Sequence, residues 1–431
     1  MNVEVGFWGV AILVLLLIAR MPVALALVAV SFGGITFLVG PSPALGIVMN
    51  TPYSFVASWT LSAVPMFLLM GFVAYHSGLT TGLFEAAKVI LRRIPGGLAI
   101  SAVFACSGFA AVSGSSLACA AAMGRIAIPE MVTAGYRPSV ACGSIAAGGT
   151  IGALIPPSIL MIIYGIIAET SVTLVFVGGI SIGLMTAFSY VAVILIISWL
   201  RPDLIPRQVR QERESSVRAL IGIWPTLVLI VLVFGGLFSG FFSATEAGAV
   251  GALGAALLGF VTGGLGWKAV QQSLLETVLT TSSLFIIAVG AAMFTRFLGI
   301  SGLSGFLNSM VAGADLNYAQ LMLIIVLIYL VLGTFMEPFG AMLVTLPVFL
   351  PILKAEGISL VWFGVLVVKM LEIGMITPPF GLNVFVIRNV AAQYASVVQI
   401  FRGVVPFFFA DLVVVFLAVA FPQIILFLPG T

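Results

Sequence analysis

Two proline pairs, Pro156-Pro157 and Pro378-Pro379, each interrupt a long apolar run, and no other Pro-Pro pair occurs in the chain. Proline lacks an amide hydrogen and clashes with the preceding turn, so each run is predicted to be a broken helix. Shifting the chain by 222 positions lays Pro129 on Pro351, Gly135 on Gly357, Ile151-Gly152 on Ile373-Gly374 and one Pro-Pro pair on the other. Four separated anchors in one register predict an internal duplication, with one broken helix in each half.

Composition fixes the medium around these helices. Of 431 residues, 62% are hydrophobic and 7% charged, against about 25% charged in an ordinary globular domain. No soluble core absorbs that much apolar surface, so the chain reads as an all-α polytopic membrane protein in a lipid bilayer. At about 20 apolar residues per crossing there is room for roughly a dozen spans. The apolar runs are continuous rather than alternating, which excludes a transmembrane β-barrel. The net charge of +3 is weak and sits in loops, where it reports orientation and points to no nucleic-acid partner. Backbone freed by a break inside a bilayer is tolerated only where protein or a water-filled cavity satisfies it. A matched pair of breaks therefore points to a transporter's central site.

Taken in order, residues 1–80 read as N-terminal scaffold spans, with two runs joined at Arg20-Met-Pro22. Glu4 stands where a signal peptide carries basic residues, so the first run is expected to be an uncleaved span. Residues 81–200 read as a first transport repeat. Its segment about 97–122 holds Ser113-Gly-Ser-Ser116 at the middle and has basic residues on both sides, Arg92 and Arg93 before, Arg125 and Arg137 after. Basic flanks on one face predict a re-entrant helical hairpin; a continuous kinked span is the alternative. A broken helix about 139–168 and a long run, 172–200, follow. The polar linker 201–218 carries five arginines and is assigned to the cytoplasm. The second half repeats the plan, with scaffold spans over 219–300 and a transport repeat over 301–402. That repeat holds a hairpin about 320–350 around Gly333-Thr-Phe-Met-Glu-Pro338 and a broken helix about 360–390; a last span, 403–431, ends the chain. Counting crossings gives the halves opposite orientation, an inverted repeat whose tips and breaks converge.

The candidate first site comprises Ser113, Gly114, Ser115, Ser116, Gly149, Thr150, Gly152 and Pro156, and the second Gly333, Thr334, Glu337, Gly374, Met375, Thr377 and Pro378. At the first site the groups are neutral hydroxyl and carbonyl oxygens, which suit a hard cation such as sodium, and glycines let backbone approach closely. Half-helix N-termini at the same places offer amides to a carboxylate. Taken singly, each glycine or serine reads equally well as a residue for close helix packing. Intramembrane charges are functional candidates. Lys369 and Glu372 are three apart and suit either a salt link on one helix face or a substrate contact. Arg296, near a span end, is expected to snorkel. Cys106, Cys119 and Cys142 read as buried thiols, and His76 as an interfacial side chain rather than a metal ligand. No Ser/His/Asp set, phosphate loop or carboxylate pair is visible, so no enzyme is predicted. A channel is a further alternative, which saturable, sodium-dependent flux would exclude.

The chain resembles the large membrane subunit, DctM or SiaM type, of tripartite ATP-independent periplasmic (TRAP) transporters. Arg20-Met-Pro-Val-Ala-Leu-Ala-Leu27, Phe109-Ala-Ala-Val-Ser-Gly-Ser-Ser116 and Gly148-Gly-Thr-Ile-Gly-Ala-Leu-Ile-Pro-Pro-Ser158 carry the resemblance in the first half. Thr245-Glu-Ala, Gly333-Thr-Phe-Met-Glu337 and Glu372-Ile-Gly-Met-Ile-Thr-Pro-Pro-Phe-Gly-Leu-Asn383 carry it in the second. Glu337 stands where the family usually has aspartate, and Phe380 where valine is common. The resemblance implies sodium-driven import of an organic anion, a carboxylate or sulfonate, by an elevator movement in a bacterial or archaeal cytoplasmic membrane. Na+ is then the coupling ion, with no organic cofactor. The implied partners are a separate small membrane subunit (DctQ or SiaQ type) and a periplasmic binding protein (DctP or SiaP type). A stand-alone sodium/dicarboxylate symporter of related hairpin architecture is the alternative.

Overall fold

The computed structural model describes residues 2–19, 21–206, 221–314 and 316–430, leaving aside the Ala312 side chain. Arg20 and linker residues 207–218 lie outside the described residues. Among those described, the regular structure is all helical. The first half contains α1 (Val3–Ile18), α2 (Val23–Val39), α3 (Pro41–Val56), α4 (Ala63–His76), α5 (Gly82–Leu91), α6 (Gly97–Ser113), α7 (Ser116–Thr133), α8 (Pro138–Thr150), α9 (Ile159–Ile167) and α10 (Val172–Leu200). The second contains α11 (Trp224–Phe238), α12 (Ala244–Val261), α13 (Trp267–Ser301), α14 (Leu303–Gly313), α15 (Tyr318–Phe335), α16 (Pro338–Ala355), α17 (Leu360–Gly374), α18 (Leu382–Val390), α19 (Val397–Ala420) and α20 (Gln423–Leu426). Short polar side chains fix many starts. Ser158, Ser171 and Ser359 cap α9, α10 and α17. Ser243 with Glu246, Asn317 with Gln320 and Ser396 with Gln399 close capping boxes.

The duplication extends to the whole set of helices. α7 and α16 begin and end 222 positions apart. The pairs α1/α11, α2/α12, α5/α14, α6/α15, α8/α17, α9/α18 and α10/α19 keep that offset to within three residues. α13 departs from it, being one unbroken helix where the first half has α3, a 3-10 turn at Trp59–Ser62 and α4. Packing repeats the pattern with the halves exchanged. α8 lies on α19 and α17 on α10; α18 lies on α7 and α9 on α16; α4 packs on α12 and α2 on α13. Each broken helix thus packs against helices of both halves of the chain.

Seven helices among the described residues are long and apolar enough to cross a membrane, and four shorter apolar helices accompany them. The chain length that would allow a dozen crossings is partly used in half-helices flanking the breaks. The second arm of the first hairpin runs to Thr133, past the expected 122, because Pro129 is accommodated inside α7. One apolar core joins α2, α4 and α13 to α9, α16 and α17; a second joins α6, α7 and α8 to α10, α18 and α19.

Glycine sets the closest of these crossings. A methyl group on Gly403 of α19 would stand 1.8 Å from the Ser139 carbonyl oxygen, and one on Gly143 of α8 would stand 2.3 Å from Gly403. Small residues let helices approach in this way in membranes. Gly235 of α11 has nothing within 4 Å of the same position. Gly403→Leu is therefore expected to destabilise the protein by about 3 kcal/mol or more, the upper end of overpacking, whereas Gly235→Leu leaves the thermal midpoint in detergent unchanged. Equal midpoints for the two variants would contradict this packing.

Candidate functional site

The first tip is made by two residues. α6 ends at Ser113, Gly114 turns the chain in the left-handed region at φ 60°, and the Ser115 hydroxyl caps α7 by accepting from the Ala118 amide at 3.4 Å. Gly114 is required twice, because a side chain there would also stand 2.2 Å from the Pro157 carbonyl oxygen. The tip therefore rests on the first break. In that break, α8 stops at Thr150, a 3-10 turn covers Ile151–Ala153, and α9 resumes at Ile159. A Cβ on Gly152 would meet the Ser115 carbonyl oxygen at 2.8 Å, and one on Gly149 the Ser116 carbonyl oxygen at 3.2 Å. Pro156 is buried, and the Pro156-Pro157 bond is cis.

The second tip lies at Met336-Glu337, between α15 and α16. Gly333 and Thr334 fall one turn earlier, inside α15, rather than at the turn itself. Their role there is contact: a Cβ on Gly374 would stand 2.3 Å from the Gly333 carbonyl oxygen, and the Phe335 and Phe380 rings meet edge to face at 6.1 Å. Glu337, at the N-cap of α16, makes no capping bond. After Gly374 the chain turns through Met375 to Thr377, whose hydroxyl donates to the Ile373 carbonyl at 2.6 Å. Pro378-Pro379, also cis, is exposed, in contrast to the first pair.

The two tips meet at a cavity of about 540 Å³. Gly114, Ser115 and Ser116 line it from the first tip, Glu337 and Pro338 from the second, and Glu372 and Met375 from the second broken helix. The facing wall belongs to α4 and α13, including Tyr75, Glu276 and Ser283. Gly149, Thr150, Gly152 and Pro156 lie behind the first tip, and Ser113 is buried. Gly333, Thr334, Gly374, Thr377 and Pro378 are outside the lining. Three carboxylates, Glu276, Glu337 and Glu372, line the cavity, and among the described residues no lysine or arginine does. The first tip was expected to offer neutral oxygens only. The fold adds a carboxylate, since the Ser116 hydroxyl donates to Glu372 Oε2 at 2.6 Å across the repeats.

A second cross-repeat contact joins the breaks. Asn383 Nδ2 donates to the Ala146 carbonyl at 3.2 Å, which fixes the amide orientation and leaves buried Oδ1 without a partner. Lys369 does not pair with Glu372: its ammonium bonds the Asp411 carboxylate, both side chains being fully buried. The helix turn that brings Lys369 near Glu372 also aims it at α19, which only packing reveals. Asp411 was missed, although a lone acid in the apolar run Val404–Ala420 is itself a signal. His76 Nε2 lies 3.2 Å from Glu276 Oε1 of α13. Arg296 bonds the Thr51 hydroxyl at 3.0 Å, and the three cysteines are buried free thiols. Removing one partner of a buried ion pair strands the other charge, so Asp411→Ala is expected to destabilise by about 3–5 kcal/mol, and adding Lys369→Met to recover most of it. Thermal denaturation in detergent measures both; a double variant no more stable than the single one would contradict the pairing.

Comparison with known proteins gives this arrangement a family. The profile described as "Tripartite ATP-independent periplasmic transporter, DctM component" matches residues 10–424. The chain is 36% identical over 375 residues to the C4-dicarboxylate TRAP transporter large permease protein DctM of Pseudomonas aeruginosa, covering 86% of each chain. It is 33% identical over 417 residues to the sialic acid TRAP transporter large permease protein SiaM of Vibrio cholerae, covering 96% of each. The crystal structure of the Alcanivorax borkumensis YdaH transporter superposes with a TM-score of 0.63 at 16% identity, covering 88% of this chain and 89% of that one. At that identity the likeness concerns the fold alone. These relatives are transporter subunits and not enzymes, so cavity, breaks and tips belong to a permease. The chain is a multi-pass cytoplasmic-membrane protein and belongs to the tripartite ATP-independent periplasmic transporter family as a DctM-type large permease subunit.

Proposed function

We propose that the chain imports an organic anion together with sodium, by an elevator movement of the hairpin-bearing repeats against a scaffold. The observation that carries this reading is the convergence of both tips on one cavity, with the opposite wall supplied by α4 and α13. In an inverted repeat the two hairpins enter from opposite faces, and a unit holding both tips and both breaks can move as one body. The substrates named for the relatives, C4-dicarboxylates and sialic acid, support a carboxylate as the cargo, and the sulfonate class shares its charge.

Electrostatics argue for co-transported cations. An anion entering a cavity with Glu276, Glu337 and Glu372 in its wall finds no lysine or arginine among the described residues to balance its charge, so entry carries a desolvation barrier. Bound sodium lowers that barrier. The N-termini of α7 and α16, both at the cavity, then present amides and a positive dipole end to the carboxylate. For the ions, the first site offers the Ser115 and Ser116 carbonyls facing Gly152 and Gly149. The orphaned Asn383 Oδ1 next to Gly149 is the kind of acceptor that a cation satisfies. The second site offers the Thr377 hydroxyl oxygen, whose lone pairs stay open while its proton goes to the Ile373 carbonyl. A small membrane subunit and a periplasmic binding protein complete the system, as the family's tripartite description implies.

Proteoliposomes test the reading. Uptake is expected only with an inward sodium gradient, the small subunit and the substrate-loaded binding protein together. Uptake of free substrate by this chain alone would overturn the tripartite reading in favour of a stand-alone symporter. Thr377→Val keeps the shape and removes one oxygen, so it should raise the sodium concentration for half-maximal uptake about fivefold, the equivalent of one polar contact. An unchanged sodium titration would remove Thr377 from the second site.

A further inference from the structure

The buried polar groups behind the cavity form a chain of contacts that the transport reading does not use. Thr150, the last residue of α8, stands 3.1 Å from the Tyr190 hydroxyl of α10. Tyr190 donates to Asp411 Oδ2 of α19 at 2.7 Å, and Asp411 Oδ1 accepts from Lys369 of α17. Tyr190, Lys369 and Asp411 are fully buried. One turn beyond Lys369 on the same helix, Glu372 holds Ser116 of the first tip. Through two residues three positions apart, α17 therefore grips both sides of the first site: the tip through Glu372, and the helix end before the break through Lys369, Asp411 and Tyr190.

Proton counting gives the far end of this chain two states. The single Tyr190 proton goes to the carboxylate, which leaves its oxygen as an acceptor. The Thr150 hydroxyl has one proton and two acceptors, the Ala147 carbonyl at 2.7 Å and Tyr190 at 3.1 Å. Its proton can change partner without stranding the hydroxyl. The repeat does not duplicate this device: the positions 222 before Lys369 and Glu372 are Ala147 and Thr150, so only the second half supplies the charges.

We propose that Tyr190 and Asp411 are positioning residues that, with Lys369, form a strut between the two broken helices. The strut transmits ion occupancy at the first site to the helix that carries Glu372 and Met375 into the cavity. This rests on the sodium-coupled reading above and assigns the coupling path within it.

Tyr190→Phe tests it while keeping the ring, which packs edge to face on Phe407 at 5.3 Å and beside the Lys369 ammonium. In the reconstituted tripartite system, Tyr190→Phe is expected to raise the sodium concentration for half-maximal uptake about fivefold, with KM for the loaded binding protein at saturating sodium unchanged. Thr150→Val should do the same, Thr150→Ser should restore the wild-type titration, and Thr150→Val with Tyr190→Phe should be no worse than either alone. A wild-type sodium titration in a correctly inserted Tyr190→Phe variant, or additive effects in the double variant, would overturn the strut. Wild-type uptake that needs no sodium would instead overturn the coupled reading itself, so the two failures are distinguishable.

Discussion

Backbone polar groups without a helical partner cannot face lipid, and this chain interrupts its helices at four central places. The solution is mutual. The first tip closes on the first break, with Gly114 against the Pro157 carbonyl and Gly152 against the Ser115 carbonyl. The second break abuts the helix leading to the second tip, with Gly374 against Gly333. Each contact works at backbone distance because a glycine removes the Cβ. Both tips and the start of the second break also reach one cavity, through Ser115, Ser116, Glu337 and Met375.

The exchanged packing ties the two halves to each other. α8 lies on α19 and α17 on α10, so each broken helix finds its long partner in the other repeat. The bonds that cross the halves, Ser116 to Glu372 and Asn383 to Ala146, follow from this. Each break rests on helices of both repeats, so its geometry depends on both.

The symmetry is deliberate in backbone and abandoned in chemistry. Helix boundaries recur at 222 residues, yet Ser115 at the first tip corresponds to Glu337 at the second, and Thr150 to Glu372. The first proline pair is buried and the second exposed. Identical halves would line the cavity identically, whereas here the first half brings hydroxyls to its tip and the second brings Glu337 and Glu372, the latter bonded to Ser116 of the first tip.

Much of this was legible in the chain because it depends on local rules. Proline pairs stop helices, glycines turn them, and apolar content sets the medium, so the duplication and the all-helical membrane fold could be read directly. The motifs around Ser113–Ser116 and Glu372–Asn383 also carried the family. Tertiary structure alone decided which polar groups meet. Lys369 and Glu372 look like partners at a spacing of three, but packing of α17 against α19 gives Lys369 to Asp411 and leaves Glu372 to Ser116, 256 positions away. Within the expected tip segment Gly333–Pro338, the structure puts the turn at Met336-Glu337 and keeps Gly333 and Thr334 helical. Pairing across halves has no sequence period, and so it appears only when the helices are in place.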